Sequence, residues 1–390
     1  MKITDMELCS GCGACAASCP CEAIYFEEDQ YGRRVPMVME DKCIKCNKCV
    51  KTCPVNNNFF LDSEKEPKCF ALRGNDNKVI TGCSSGGIAT VAARFVVNNG
   101  GYVYGCGFNS DEELDFMECS SEEELEYIKG SKYVQSNLLP CYLKIKKRLD
   151  AGEDVLVIGL PCQIAGIKGY LKKEYSNLIL IDLICHGTPP IKYLKEHLEK
   201  YIADGARKIT FRGKDGFVLS VTDRDGKEVY SERAKRDEYY FGFLQGLIYR
   251  ENCYRCPYAT TNRGPDITIG DFWGLDKKTL TRTYDGPISV GLVNTKKGMA
   301  FFEKIKEGLI WEERELSEAV KENEQLNHPM TPDETDRKIF LAHYPKRGFD
   351  QAFRKTNLYK NKVKKEKLKG KLVKIPLVQT VRGIIKKIDV

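Results

Sequence analysis

Long apolar runs are missing from this sequence of 390 residues. Apolar runs such as residues 154–160 are far shorter than the roughly 20 residues that a membrane-spanning helix needs. Residues 1–7 also lack the hydrophobic stretch of a secretory signal. We therefore expect a cytosolic protein rather than one that spans a membrane or is secreted.

Histidine is scarce, with four in the chain. His197, His328 and His343 have no recognisable partners in the sequence, and no Ser/His/Asp nucleophile arrangement is present. A hydrolase built on such a triad is therefore not indicated. His186 follows an apolar run and is considered below with the motif to which it belongs.

Positive charge is concentrated at one end of the chain. The net charge is +7, yet residues 354–390 contain thirteen Lys and Arg against two acids, so the remainder is net negative. This distribution argues against a nucleic-acid-binding protein. The basic segment is expected either to contact an acidic partner or the inner face of an anionic membrane, or to be a solvated, partly helical extension.

Cysteine, in contrast, is abundant, with 18 residues. Two runs have the spacing Cys-x-x-Cys-x-x-Cys-x-x-x-Cys-Pro, which bacterial ferredoxins use to bind two [4Fe-4S] clusters, the fourth cysteine of each run binding the other cluster. One cluster is therefore predicted to have the ligands Cys9, Cys12, Cys15 and Cys53. The other is predicted to have Cys43, Cys46, Cys49 and Cys19.

A pair of zinc sites is the alternative for these runs. Zinc sites usually combine paired Cys-x-x-Cys units, whereas two matching runs of four cysteines, each ending in Cys-Pro, favour iron–sulfur clusters. Cys21 lies outside the spacing and is interpreted as a packing residue. Residues 23–26 and 34–38 between the runs are predicted to form a small hairpin.

Two apolar runs farther along the chain each lead to a cysteine. Residues 154–158 and 178–184 are typical of buried parallel strands, and Cys162 and Cys185 follow them. Because open α/β sheets bind ligands beyond the carboxyl ends of their strands, these cysteines could join Cys253 and Cys256 at a third [4Fe-4S] cluster. Alternatively, the first two are buried like apolar residues and the last two are half of a zinc site.

Six segments together resemble the beta subunit of coenzyme F420-reducing hydrogenase and its dehydrogenase relatives, in the form fused to an N-terminal two-cluster ferredoxin. They are residues 84–90, 130–136, 159–166, 182–187, 253–256 and 266–274. The resemblance covers about residues 66–300 and implies an α/β fold that binds FAD beside a [4Fe-4S] cluster. Such proteins pass electrons between clusters, flavin and a small acceptor.

The resemblance also implies which residues line the flavin. They are Ser85, Gly86, Gly87, Lys132, Tyr133, Ser136 and Gln163. Lys132 would meet the pyrophosphate or stabilise the reduced ring, although a solvated lysine is its ordinary alternative. His186 is the candidate catalytic residue, transferring a proton, or else it hydrogen-bonds backbone after its strand. Candidates for contacting an anionic acceptor are Arg212, Lys214 and Arg263, whose alternative is surface charge.

The predicted fold class is an α+β ferredoxin-like cluster domain followed by an α/β flavin-binding domain with a mixed, non-Rossmann sheet and C-terminal helices. The predicted domains are residues 1–57 (ferredoxin), 66–190 and 191–345 (the two parts of the flavin-binding core) and 346–390 (basic helical tail). Helices are expected over residues 296–306, 318–325 and 334–343, covering one face of the sheet, with Ser317 as an N-cap.

These expectations describe an iron–sulfur flavoprotein oxidoreductase. It would relay electrons between a ferredoxin-type partner or larger redox complex, its clusters, FAD and a deazaflavin-like or other hydride-accepting small molecule. The alternative is a non-catalytic electron carrier or docking subunit of a larger redox complex. Flavin content distinguishes the two.

Overall fold

A computed structural model describes residues 2–57, 66–109, 113–202, 205–213 and 216–373. The strands are β1 (Ile24–Glu28), β2 (Arg34–Val38), β3 (Lys68–Gly74), β4 (Tyr102–Phe108), β5 (Leu114–Cys119), β6 (Val155–Gly159), β7 (Leu178–Leu183), β8 (Ala206–Gly213), β9 (Gly216–Asp223), β10 (Glu228–Arg233), β11 (Ile267–Asp271), β12 (Ser289–Val293) and β13 (Leu309–Arg314).

The helices are α1 (Ala14–Ala17), α2 (Lys48–Thr52), α3 (Asn77–Ile80), α4 (Ile88–Asn98), α5 (Glu122–Ile128), α6 (Tyr142–Asp150), α7 (Pro161–Leu171), α8 (Ile191–Ile202), α9 (Glu238–Leu244), α10 (Lys296–Ile305), α11 (Leu316–Glu322), α12 (Glu334–Phe353) and α13 (Asn357–Val373). Short 3₁₀ helices span Leu139–Cys141, Glu251–Arg255, Lys277–Thr279, Lys306–Gly308 and Glu324–Leu326.

The N-terminal segment is built around the predicted hairpin. β1 and β2 pair antiparallel, from Ile24 opposite Val38 to Glu28 opposite Arg34. The short helices α1 and α2 each follow a residue with left-handed backbone and each carry the third cysteine of a run. Cysteines and a few apolar side chains make up its small core, so the packing depends on the cysteines themselves.

The rest of the first unit is organised by an eight-stranded mixed sheet in the order β13-β3-β12-β11-β7-β6-β4-β5. β4, β6, β7 and β11 are parallel neighbours, and the strands beyond them on both sides pair antiparallel. Parallel strands covered on both faces need apolar residues throughout, which explains the continuous apolar runs of β6 and β7. The predicted mixed sheet is confirmed.

Helices cover both faces of this sheet. The core on one face contains side chains of α4 and α10, including Phe301 and Phe302. The opposite face packs against α6 and α7 at one end and against α11, through Ala319, at the other. The prediction that the C-terminal helices share one face is therefore wrong for α10 and α11, because residues of β3 alternate between the two cores.

A smaller antiparallel sheet, in the order β10-β9-β8, follows α8. Its buried residues Phe211, Leu219 and Val221 lie at alternate positions, as expected for a strand with one buried face. No element was predicted for these residues. The α9 side chains Tyr240 and Phe243 are also buried, and Tyr240 Oη donates to the Phe211 carbonyl at 2.8 Å.

The chain divides into two compact units, residues 1–331 and 332–390. In the second unit α12 carries a kink at Gly348, where φ is 70°, and buries Phe340, Tyr344 and Phe349. The predicted basic tail, residues 346–390, begins within α12 and continues through α13, and its last part, residues 374–390, lies outside the described residues. In the described part of the chain, no helix has the length and apolar character that crossing a membrane requires.

Candidate cysteine-lined redox site

The cysteines of the N-terminal segment surround two cavities. The first is lined by Cys9, Cys12, Cys15 and Cys53, among other residues. The second is lined by Cys19, Cys43, Cys46 and Cys49, with Cys21 beside them. Each cavity therefore receives three cysteines of one run and the last cysteine of the other. We call them the inner cavity and the outer cavity, respectively.

The chemistry of both cavities fits a [4Fe-4S] cluster. Four thiols are the complete ligand set of such a cluster. Backbone N–H groups point at the sulfurs: Gly11 donates to Cys9 Sγ at 3.4 Å, and Ala23 donates to Cys19 Sγ at 3.3 Å. Burial raises the pKa of Cys12 to about 12, so its thiolate would need a bound cation at neutral pH.

Cys21 is more than a packing residue. Its Sγ lies 3.7 Å from Cys19 Sγ, and it lines the outer cavity together with the four predicted ligands. The spacing rule could not identify it, because it lies outside the repeated run. The outer cavity therefore contains a fifth thiol, whereas the inner cavity contains four.

The other four predicted ligands also converge. Cys162 is the second residue of α7, directly after β6, and Cys185 lies just beyond β7, which is the parallel neighbour of β6. Burial raises the pKa of Cys162 well above its ordinary value, and the nearby thiols of Cys185, Cys256 and Cys253 raise it further. The structure thus places the four cysteines in one group, which we call the core cysteine group, rather than leaving Cys253 and Cys256 apart.

The core cysteine group also receives a backbone donor, and its cysteines are half-buried. Thr188 N–H lies 3.5 Å from Cys253 Sγ. Burial raises the pKa of Cys256 to about 11. Four half-buried cysteines in one place, with an amide aimed at one of them, have the donor set of a third cluster.

The inner cavity and the core cysteine group are neighbours across α7. Cys12, Cys162 and Cys256 pack against the same hydrophobic core. Tyr142 Oη donates to the Cys12 carbonyl at 3.0 Å. Gly166 of α7 leaves room for this approach, because a Cβ there would lie 3.1 Å from Cys12 Sγ. The order of neighbours is therefore outer cavity, inner cavity, core cysteine group.

Two buried polar residues that the sequence did not identify join these sites. Arg250 Nη1 donates to Gln135 Oε1 at 2.9 Å, and Arg250 Nη2 donates to the Cys9 carbonyl at 2.9 Å. Gln135 Nε2 donates to the Ser10 carbonyl at 2.9 Å. The one available signal was that Arg250 lies three residues before Cys253.

The loops that carry most of the predicted flavin residues lie side by side. Ser131 N–H donates to Ser84 Oγ at 2.6 Å, which joins the loop before α4 to residues 130–136. Arg212 reinforces this junction by donating to the Ser84 carbonyl at 3.1 Å and to Tyr133 Oη at 2.9 Å. Arg212 also pairs with Asp271 at 2.6 Å, so the end of β11 belongs to the same arrangement.

The loop before α4 is also shaped by packing. A Cβ on Gly86 would lie 2.3 Å from the Leu72 carbonyl, and Gly86 N–H donates to Ser289 Oγ at 2.9 Å. Ser85 Oγ donates to the Ile288 carbonyl at 3.3 Å. The N-cap of α4 is Gly87, with φ of 82° and no side-chain cap hydrogen bond.

Ser136 and Gln163 contact each other away from that loop. Gln163 Nε2 donates to Ser136 Oγ at 2.8 Å, and Gln163 Oε1 accepts from Leu160 N–H at 3.0 Å at the start of α7. Both side chains are buried. These two residues therefore lie on the α7 side of the 130–136 segment, and Tyr133 lies on the Arg212 side.

Lys132 is not a freely solvated lysine. Its Nζ donates to the carbonyls of Ile128 at 2.7 Å and Lys129 at 3.0 Å, and burial lowers its pKa. His186 Nδ1 lies 3.2 Å from Gln325 Nε2, a side-chain contact rather than the backbone hydrogen bond considered as its alternative. His186 is an exposed residue, and partial desolvation by the surrounding protein lowers the pKa of its ring, which favours the neutral form.

The three basic residues predicted to contact an anionic electron acceptor have different surroundings. Arg212 is partly buried in the junction described above. Arg263 is 1% exposed and pairs with Asp182 at 2.7 Å, so it cannot reach a ligand at the surface. Lys214 lies outside the described residues. Of the two candidates that the structure describes, Arg212 has a placement compatible with the predicted role.

Two family models match this chain. The model for the C terminus of the beta subunit in coenzyme F420 hydrogenase/dehydrogenase matches residues 152–319, and the model for the 4Fe-4S dicluster domain matches residues 8–57. The first range contains the core cysteine group, and the second contains both N-terminal runs.

Known proteins of redox systems are similar to this chain. A subunit of the F(420)H(2) dehydrogenase of Methanosarcina mazei is 24% identical over 57% of this chain and 69% of that protein. The coenzyme F420-dependent sulfite reductase of Methanocaldococcus jannaschii is 26% identical over 58% of this chain and 38% of that protein. A chain of the xenon-derivatised F420-reducing [NiFe] hydrogenase complex from Methanosarcina barkeri superposes with a TM-score of 0.45 and 15% identity, over 71% of this chain and 98% of that one.

Proposed function

We propose that this protein is an iron–sulfur flavoprotein oxidoreductase, because residues 152–319 match the model for the C terminus of coenzyme F420 hydrogenase/dehydrogenase beta subunits and residues 8–57 match the model for the 4Fe-4S dicluster domain. It would relay electrons between a ferredoxin-type partner and a small hydride-accepting molecule. The observation that carries the proposal is the order of three cysteine groups, from the outer cavity to the core of the larger sheet.

The ligand assignment follows from the two cavities and the core cysteine group. The inner cavity would hold one [4Fe-4S] cluster and the outer cavity a second. A third would be held by Cys162, Cys185, Cys253 and Cys256. Neighbouring clusters of this type exchange single electrons, and their potentials depend on net charge, hydrogen bonds to sulfur and exposure.

FAD is proposed for the region next to the core cysteine group. Tyr133 stacks on Phe243 with ring centroids 4.7 Å apart, and His186 lies 6.5 Å from Phe243 on the Cys185 side. The ring contacts from Tyr133 through Phe243 to His186 therefore connect the junction of Ser84, Ser131 and Arg212 with the residue that follows Cys185 of the core cysteine group. When bound, FAD would link one-electron exchange with the clusters to two-electron exchange with the acceptor.

The partner and the acceptor are proposed from chemistry. The Methanosarcina mazei relative is named as one subunit of a dehydrogenase, which supports a redox partner or larger complex for this chain. A deazaflavin-like or other anionic acceptor would contact Arg212 by competing with Asp271, whose carboxylate now pairs with the guanidinium at 2.6 Å. We propose a cytosolic location, with contact between the basic tail and an anionic membrane surface as a further possibility.

A non-catalytic electron carrier or docking subunit is the second candidate. One observation favours it: several predicted flavin residues already have protein partners. Gln163 bonds to Ser136, Gly86 fits tightly against β3, and Lys132 bonds to two carbonyls. Such a carrier would bind iron and sulfide and no flavin.

Anaerobic purification with iron, acid-labile sulfide and flavin counts tests the proposal. About twelve irons and about one FAD per chain are expected, since each of three [4Fe-4S] clusters contributes four irons. Cys162→Ser and Cys256→Ser should each remove about four irons and leave about eight. Iron and sulfide without flavin, even after reconstitution with FAD, would favour the carrier instead.

Cys106→Ala is the matched control for these variants. Cys106 is a half-buried cysteine against the same hydrophobic core as Cys162, yet it belongs to none of the three cysteine groups. It should keep the full iron count. A loss of about four irons in this variant would mean that the core cysteine group has been assigned wrongly.

A further inference from the structure

Arg250 is a buried positive charge without a carboxylate partner in the described part of the chain. Its side chain is 1% exposed. The guanidinium donates to the Gln135 side chain and, at 2.9 and 3.2 Å, to the carbonyls of Cys9 and Arg34. Its Nε has no partner within the described residues. Because a buried ion costs several kcal/mol unless an opposite charge compensates it, the counter-charge must come from elsewhere.

The remaining charged neighbours do not supply it. Asp29 acts on Arg250 as an opposite charge, but it pairs with Arg33 at 2.6 Å, so the two together add no net charge. Burial lowers the pKa of Arg250, whereas the Cys9 and Cys253 sulfurs act in the opposite direction, towards the charged guanidinium. The groups able to balance Arg250 are therefore the thiolates themselves.

Arg250 is attached to both cysteine sites at once. Its backbone N–H donates to the Thr188 carbonyl at 3.0 Å, and its carbonyl accepts from Cys253 N–H at 3.0 Å. Its side chain reaches across to the carbonyl of Cys9 at the inner cavity. The guanidinium thus lies between the inner cavity and the core cysteine group.

We infer that Arg250 is a positioning residue that sets the reduction potentials of the inner and core clusters while fastening the dicluster domain to the core. The inference rests on the proposed function, because it requires clusters at both sites. Reduction adds one electron to a cluster and hence one negative charge, taken from a ferredoxin-type donor. A fixed positive charge in a medium of low dielectric stabilises the reduced form and raises the potential. The outer cluster, which Arg250 does not contact, is not affected.

A redox titration monitored by electron paramagnetic resonance tests this on the full-length, anaerobically loaded protein. Arg250→Gln should lower the reduction potentials of the inner and core clusters by at least about 59 mV. This shift corresponds to a tenfold change in the equilibrium constant of a one-electron reduction. The outer cluster should keep its potential and serves as the internal reference. Arg250→Lys, which retains the positive charge, should lower the same two potentials by less than half as much.

A second variant keeps the test decisive if Arg250→Gln does not load with iron. Gln135→Glu has nearly the same shape and places a carboxylate on Arg250 Nη1, where Gln135 Oε1 now accepts at 2.9 Å. It should lower the same two potentials by offsetting the guanidinium charge. Arg255→Gln, which removes an exposed ion pair with Glu7, should change none of the three reduction potentials.

Unchanged inner and core potentials in Gln135→Glu, or equal shifts of all three clusters in Arg250→Gln, would overturn the inference. Iron and sulfide counts separate this failure from failure of the proposed function. Loaded clusters with unmoved potentials would reject only the role of Arg250. Wild-type protein without about twelve irons would reject the three-cluster assignment itself.

Discussion

At the residue scale, buried charges lie next to the cysteines of the larger domain. Asp182 and Arg263 are almost fully buried and pair at 2.7 Å. Arg263 also lies close enough to Cys185 and Cys256 to favour their thiolate forms. Asp182 compensates the charge of Arg263, whereas Arg250 has no carboxylate partner among the described residues. From the sequence, Arg263 is a candidate acceptor contact or a surface charge and Arg250 has no assigned role, whereas both side chains are buried in the structure.

Removing one partner of the Asp182–Arg263 pair should be strongly destabilising. Arg263→Met leaves Asp182 buried without its cation, so we expect the free energy of unfolding to fall by about 3–5 kcal/mol. Urea denaturation under anaerobic conditions measures it. The double variant Arg263→Met with Asp182→Leu should recover most of the loss.

The exposed pair of Arg255 with Glu7 is the control for that measurement. Its side chains are 49% and 64% exposed, so Arg255→Ala should change the free energy of unfolding by less than about 1 kcal/mol. Equal losses of unfolding free energy in Arg255→Ala and Arg263→Met would contradict the importance assigned to burial of the Asp182–Arg263 pair.

At the element scale, α7 brings two cysteine sites together. The helix begins at Pro161, so Cys162 lies in its first turn beyond the end of β6. Four residues later, Gly166 faces Tyr142 and Cys12. The same short helix therefore contributes to the core cysteine group at one end and supports the inner cavity along its side.

Gly166→Ala should disturb the inner cavity selectively. A Cβ at this position would lie 2.6 Å from Tyr142 Oη and 3.1 Å from Cys12 Sγ. We expect a destabilisation of about 1–3 kcal/mol from overpacking, even though alanine is the better helix former. Urea unfolding measures the loss, and iron counts should show partial occupancy of the inner site.

Lys168→Ala is the matched change on the same helix. Lys168 is half-buried and donates to the Gly264 carbonyl at 3.4 Å, with no contact to Cys12 among its hydrogen bonds in the described chain. It should keep full iron occupancy. Equal iron loss in both variants would point to general damage to α7 instead of displacement of Cys12.

At the scale of the whole molecule, the dicluster segment is part of the first compact unit. Tyr142 bonds to Cys12, Gln135 to Ser10 and Arg250 to Cys9, and all three bonds connect the larger sheet domain to the first cysteine loop. The loop is in turn held in shape by whatever its cysteines bind. Iron content and the stability of the core should therefore be coupled.

Removing iron should destabilise more than the first 57 residues. Treatment with a chelator and a mild oxidant is expected to lower the Tm by several degrees and to increase hydrogen exchange in α6 and α7 as well, because Tyr142 and Arg250 lose their fixed partners. Reconstitution with iron and sulfide should restore both. Faster exchange confined to residues 2–57 would show that the segment behaves independently.

The sequence alone determined the features that depend on spacing along the chain. The two cysteine runs predicted a dicluster domain, and the apolar runs predicted β6 and β7, because local spacing and periodicity are properties of consecutive residues. The cysteines that follow parallel strands were predicted to meet, since adjacent carboxyl ends lie at one edge of a sheet. The helix beginning at Pro161 could be predicted for the same local reasons.

Only the tertiary structure decided what depends on contacts between distant residues. Gln135 and Arg250 are 115 residues apart, and Arg250 and Cys9 are 241 apart, so no local pattern marks their contact. The approach of Cys12 to α7, the position of Cys21 beside Cys19 and the opposite faces of α10 and α11 are decided in the same way. Packing in three dimensions selects these neighbours, because a buried charge finds its partners and a side chain fills its space only when the whole fold is formed.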